Sequence, residues 1–177
     1  MRSLSWVIGA VAALATAGAA QAQAPTSAST SATGSAAVVQ PITLVKNTDL
    51  AFGSLVRPSL GANTVTIDPT SGARTISGTG DASPGAAQTA TRASYSVAGE
   101  GGATFSVTVP SSFTMARVGG NETLPVTLTA SAVSGALSGS IGTGGSANFS
   151  IGGSLPLSST TVSGDYTGTF NVTVGYN

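Results

Sequence analysis

Along residues 164–177, Tyr166, Phe170, Val172, Val174 and Tyr176 fall on one parity with Gly168 among them, and Thr167, Thr169, Asn171, Thr173 and Gly175 fall on the other. A period of two marks a strand with one buried face and one wet face. The residue types agree, because β-branched and aromatic side chains pack well on a half-buried pleated surface. The pattern predicts one continuous final strand starting past Gly164. The sequence ends one residue after Tyr176, so the free edge of that strand is expected to pair with an earlier part of the chain or with another molecule.

Similar alternation recurs upstream. Residues 36–46 read as a strand interrupted at Pro41, which cannot donate to a ladder. A turn over 47–49 leads to a short strand at 50–53, with a bulge at Gly53 because Leu55 falls on the opposite parity to Leu50 and Phe52. Residues 63–68 and 73–77 form a hairpin about the turn 69–72, and 78–89 is a loop. Ala93, Tyr95 and Val97 share a parity, as do Phe105, Val107 and Val109, and the turn 99–102 between them predicts a tight hairpin. Phe113 and Met115 cap the core before the loop 118–122. Leu124, Val126 and Leu128 mark another strand, 134–145 a long Gly-rich connection, and Ala147, Phe149 and Ile151 a strand ending at Gly152 and Gly153. Leu155 and Leu157 follow as apolar partners before the loop 158–163. The total is eight to ten strands, without helix or repeat.

The first residues carry a different pattern. Arg2, an apolar run from Val7 to Ala20 and the small-x-small triplet Ala20-Gln21-Ala22 make residues 1–22 a secretory signal peptide. The run is too short for a membrane span, and no later stretch approaches that length. Residues 23–35, rich in Ala, Ser and Thr, form a flexible N-terminal extension that cannot bury enough surface to order itself. Small or apolar residues recur at alternate places there and just beyond, at Ala28, Ala32, Gly34, Ala36 and Val38, which makes the segment a tolerable donor strand. The folded domain spans 36–177.

Composition narrows the class. Six Lys plus Arg against six Asp plus Glu leave no basic patch for phosphates, so nucleic acid is not an expected partner. With 24 Gly, abundant Ser and Thr and turn signals every ten residues or so, the chain reads as an all-β sandwich or barrel. Cys is absent, so no disulfide staples it. With neither His nor Cys there is no nucleophile-His arrangement and no soft metal site. Asp49, Asp68, Asp81, Glu100, Glu122 and Asp165 stand apart in separate turns as ordinary turn or surface groups. No catalytic residue, metal ligand or cofactor is expected, and an enzyme is disfavoured.

The motif Leu50-Ala51-Phe52-Gly53, the central segment 94–110 and the ending 164–177 resemble a family of uncharacterised small exported bacterial domains, which in turn resembles pilus subunits of the chaperone–usher type. Those subunits end on a strand with a penultimate aromatic residue, here Tyr176, and often carry Gly fourteen places from the end, here Gly164. The resemblance implies an immunoglobulin-like β-sandwich lacking its last strand, whose groove is filled by a neighbour's N-terminal extension. It further implies other copies or related subunits, a periplasmic chaperone and an outer-membrane usher as partners, and a place at the cell surface. Many such pilins have a disulfide, which this chain cannot form, and more apolar extensions. The expected role is a structural subunit of a surface fibre, serving adhesion. The alternatives are a monomeric secreted binding module and, far behind, a hydrolase using carboxylates brought together by folding.

Overall fold

A computed structural model describes residues 27–177, so the signal peptide and the first residues of the extension lie outside the described residues. The described residues contain no helix and fall into strands joined by turns. The chain divides into two units, residues 1–36 and 37–177. Of the first, residues 27–36 are exposed and form no strand.

In the second unit the strands are β1 (Thr43–Thr48), β2 (Leu55–Val56), β3 (Ala62–Ile67), β4 (Arg74–Gly78), β5 (Ser83–Pro84), β6 (Ala93–Glu100) and β7 (Thr104–Thr108). They continue with β8 (Ser112–Arg117), β9 (Thr123–Ala130), β10 (Ser134–Ala136), β11 (Gly144–Ser158), β12 (Tyr166–Thr167) and β13 (Thr173–Tyr176). The large sheet runs β1-β6-β11-β9-β8-β12, with β3 on β11 and β4 on β3; a second sheet runs β10-β7-β13, and β2 pairs with β5. Every ladder is antiparallel. Tyr95 and Val97 of β6, Phe149 and Ile151 of β11, Val65 and Ile67 of β3, and Phe105 and Val107 of β7 meet in one buried core. This is an all-β protein of curled sheets packed as a sandwich.

β11 is the spine, and here the sequence expectation is corrected. The strand does not end at Gly152 and Gly153 but continues to Ser158, pairing first with β6 and then with β3 on the same edge. β9 holds the opposite edge at the crossover. Three strands crowd around this point: a Cβ on Gly152 would stand 2.1 Å from the Ile67 carbonyl oxygen. Two glycines therefore permit this close approach rather than stop the strand. Leu155 and Leu157, placed just before a loop by the sequence reading, lie within the strand and are buried.

The hairpin predicted over 92–109 is also corrected. β6 has both edges occupied, by β1 and β11, and β7 pairs instead with β10 and β13. The segment between them, with Gly102 at φ +75°, carries the chain from one sheet to the other. The inward parities of the two strands thus meet across the core rather than side by side. The hairpin of β3 and β4 is present as predicted, and Asp68 closes its turn by accepting from the Ser71 N–H at 2.6 Å. At the start, the ladder opens at Thr43, not at residue 36, and Asn47 and Thr48 belong to β1, with a register shift between Lys46 and Thr48. The stretch 50–53 keeps only an isolated bridge, Ala51 to Thr91. The connections at 78–89 and 134–145 each contain a short strand, β5 and β10.

Candidate functional site: an open seam at the C-terminal segment

The final stretch is not one strand. Tyr166 and Thr167 pair with Arg117 and Ala116 of β8, in the large sheet, whereas residues 173–176 pair with residues 105–108 of β7, in the small one. Between them, residues 168–172 carry no ladder and no backbone hydrogen bond among the described residues. The predicted parity survives the break. Tyr166, Phe170, Val172, Val174 and Tyr176 are half-buried, and Thr167, Thr169, Asn171 and Thr173 are exposed. None of the five is fully buried, so this face of the core is incompletely covered. Gly168 is exposed on its solvent side, but a Cβ there would stand 2.5 Å from the Thr114 carbonyl oxygen, so the chain can leave β8 this closely only as glycine. Gly164 lies exposed in the preceding turn at φ +150°, against the Arg117 side chain.

Two cavities flank this segment. A smaller one of about 270 Å³ is lined by Lys46, Asp49, Tyr95, Phe113 and residues 166–170. A larger one of about 680 Å³ runs beneath residues 50–55 to Leu124, Leu155 and Leu157, with Arg57, Gln88 and Asp165 among its polar lining. Leu50, Met115, Tyr166 and Thr167 line both, so the two form one seam of mixed polar and apolar lining. Phe113 and Phe170 pack across its floor with ring centroids 5.0 Å apart and planes tilted by 42°. β1, at the end of its sheet, offers an unpaired edge on the same side.

The donor candidates are described apart from the seam. Ala28, Ala32, Gly34 and Ala36 are exposed and outside any strand. Val38, in the second unit, is 90% exposed, a large apolar side chain left in water. The first hydrogen bonds from this end of the described residues are those of Gln40.

The carboxylates do local work. Asp49 pairs with Lys46 at 2.5 Å, and that contact raises the lysine pKa. The Ser71 backbone N–H, then its hydroxyl, lowers Asp68; the Ser59 hydroxyl, then its N–H, lowers Asp81. Glu122 is lowered first by its own backbone N–H, with Arg117 adding to it at 3.3 Å. Among the described residues no three His, Cys, Asp or Glu side chains are placed to hold a metal ion. Glu100 departs from its reading as a surface group, being only 2% exposed. Its carboxylate accepts from the backbone N–H groups of Gly142 and of Gln40, the latter at 3.0 Å, and both lower its pKa. The burial was not legible because the turn holding Glu100 was expected to close a hairpin instead of entering the second sheet.

An all-β domain with an incompletely covered apolar face is the class that these features define. Residues 42–176 match the model of a family described as Domain of unknown function (DUF4402), and the chain belongs to that family. No curated protein and no solved structure matches the chain.

Proposed function

We propose that the protein is a structural subunit of a bacterial surface fibre, assembled by strand donation between copies and serving adhesion. The observation that carries this reading is the unladdered stretch 168–172, with half-buried Phe170 and Val172 and with Phe170 lining the smaller cavity. A strand laid there would satisfy free backbone groups and cover apolar surface together, the two contributions that drive β-augmentation. The segment containing Ala28, Ala32, Gly34, Ala36 and Val38 is the donor. Its exposed valine and absence of strand structure leave it free to pair with another copy. Head-to-tail donation does not close on itself and yields a fibre. In this reading the domain is an immunoglobulin-like sandwich short of one strand. A periplasmic chaperone would cover the seam before assembly at an outer-membrane usher, as in the pilus subunits that the sequence resembles.

Deleting residues 23–35 with the signal retained tests the proposal. Loss of polymer from a domain that still folds supports donation, and unchanged assembly refutes it. The larger cavity supports a second reading, a monomeric exported module that binds a small ligand beside residues 50–55. Solution mass across a concentration series separates the two, because such a module stays monomeric.

A further inference from the structure

The far end of the C-terminal segment is fastened by a cycle of hydrogen bonds that no sequence motif announces. The Gln40 N–H donates to the Glu100 carboxylate at 3.0 Å, the Glu100 N–H donates to the Tyr176 hydroxyl oxygen at 2.7 Å, and that hydroxyl donates to the Gln40 carbonyl at 2.8 Å. Each residue of the three both gives and receives. The second carboxylate oxygen of Glu100 accepts from the Gly142 N–H, which ties the loop before β11 into the same cluster. The pocket for the tyrosine is built for it: a Cβ on Gly99 would stand 2.1 Å from the Tyr176 hydroxyl. Pro41, which follows Gln40, has no N–H to compete. The cycle thus joins the root of the N-terminal segment, the end of β6 and the last strand, and it lies where β1 and β13, each at the end of its sheet, come into contact.

We propose that Gln40, Glu100 and Tyr176 form a latch that fastens the Tyr176 end of the C-terminal segment and governs how much of the C-terminal edge an incoming strand can reach. The latch itself stands on the geometry; its role as a gate rests on the strand-donation reading. With the latch closed, the outer edge of β13, which carries no ladder among the described residues, stands against β1, and 168–172 is the stretch open to an incoming strand. With it open, β13 is held only by its short ladder to β7 and the accessible edge extends from 168 to 176. Short terminal strands with solvent-exposed ladders open at low free-energy cost, so the latch can release without the core unfolding. Elements packed near Glu100 add few charges to the balance. Tyr176 is the titratable group on β13, Lys46 of β1 is engaged by Asp49, and neither β7 nor β11 carries a charged side chain.

The test uses the exported protein with two near-isosteric changes. Tyr176→Phe removes the hydroxyl and leaves the ring, and Glu100→Gln sets an NH2 group where one of two backbone N–H donors needs an acceptor. Hydrogen exchange is followed at Gln40, Glu100 and residues 174–176, with Val97 and Ile151 as core references. Both variants should exchange roughly tenfold faster at the latch and unchanged in the core, the size of one or two lost net hydrogen bonds. Unchanged exchange at the latch overturns the latch. A labelled peptide of residues 28–39 is then the probe for the gate, and it should associate roughly tenfold faster with each variant than with the wild type. Equal rates overturn the gate. If exchange quickens but the peptide binds neither form, the donation reading fails and takes the gate with it, while the latch stands as a clamp on the two chain segments.

Discussion

Replacing Phe170 by alanine separates a covered final strand from an open one. A fully buried phenylalanine costs about 3–5 kcal/mol to truncate, through lost transfer energy and the cavity left behind. Phe149 meets that description: it is 3% exposed and stacks on Tyr95 with centroids 5.2 Å apart. Phe170 does not. It is half-buried, its main packing partner is Phe113, and it borders an existing cavity of about 270 Å³. Truncation there removes about half the usual apolar burial and opens onto space that water already reaches, so the expected cost is about 1–2 kcal/mol. With a urea slope near 2 kcal/mol/M, Phe149→Ala should lower the midpoint by roughly 2 M and Phe170→Ala by roughly 0.5–1 M. The assay is urea unfolding followed by far-ultraviolet dichroism on monomeric protein. A double-mutant cycle with Phe113→Ala should show coupling of about 0.5–1.5 kcal/mol from the ring pair. Equal midpoint shifts for Phe149→Ala and Phe170→Ala would refute the open seam. If copies assemble by the proposed strand donation, the Phe170 variant should lose more in polymer, because a donated strand would then cover the ring.

Gly152→Ala should be among the most damaging single changes, about 3 kcal/mol or more, since its Cβ would overlap the Ile67 carbonyl where β3 crowds β11; a melting temperature within about 2 °C of wild type would contradict that packing. Stability should be level from about pH 5 to 9, because the chain has no histidine. Asp68, Asp81, Glu100 and Glu122 all have folded pKa values held below the ordinary carboxylate range. Their contribution is therefore present above that range and is lost as pH falls through the lowered folded values, so melting temperature should drop only below about pH 4. A decline beginning near neutrality would be inconsistent with these contacts.

What the sequence makes legible is parity, and what it hides is pairing. Tyr95 and Val97 of β6 and Phe105 and Val107 of β7 were correctly seen as inward-facing. Yet a period of two is the same whether two strands lie side by side or face each other across a core. The choice is made by edge occupancy: β1 and β11 take both edges of β6, so β7 must go elsewhere. β11 shows the same limit, because Gly152 and Gly153 read as punctuation until the crowding by β3 and β9 shows them to be a close approach between strands. The alternation in the last strand was visible, and so was its aromatic ending. Its division between two sheets was not, because passing from β8 to β7 leaves the side-chain period intact while interrupting the ladder. Glu100 and Gln40 were invisible as partners for a related reason: 60 residues separate them, and neither belongs to a recognisable motif.

The seam also limits what can fill it well, and this yields a prediction of the opposite sign from the others. A strand laid along 168–172 gains only a few ladder hydrogen bonds, each worth about 0.5–1.5 kcal/mol net before ordering entropy is subtracted. Firm binding must therefore come from side chains entering the cavities of about 270 and about 680 Å³. The donor segment offers mostly Ala28, Ala32, Gly34 and Ala36, which are too small to fill them, and Val38 is its larger contributor. Each added buried methylene contributes about 0.8 kcal/mol, so Ala32→Leu or Ala36→Leu should strengthen donation by about 2 kcal/mol where the residue meets the seam. Only the residue whose parity points inward should respond strongly, and a neighbouring polar position, Thr33→Leu, should respond weakly. Polymer yield and resistance to dissociation in urea measure the effect. If neither leucine variant assembles more firmly than the wild type, or if Thr33→Leu matches them, the segment does not bind by alternate side chains and the donor assignment falls.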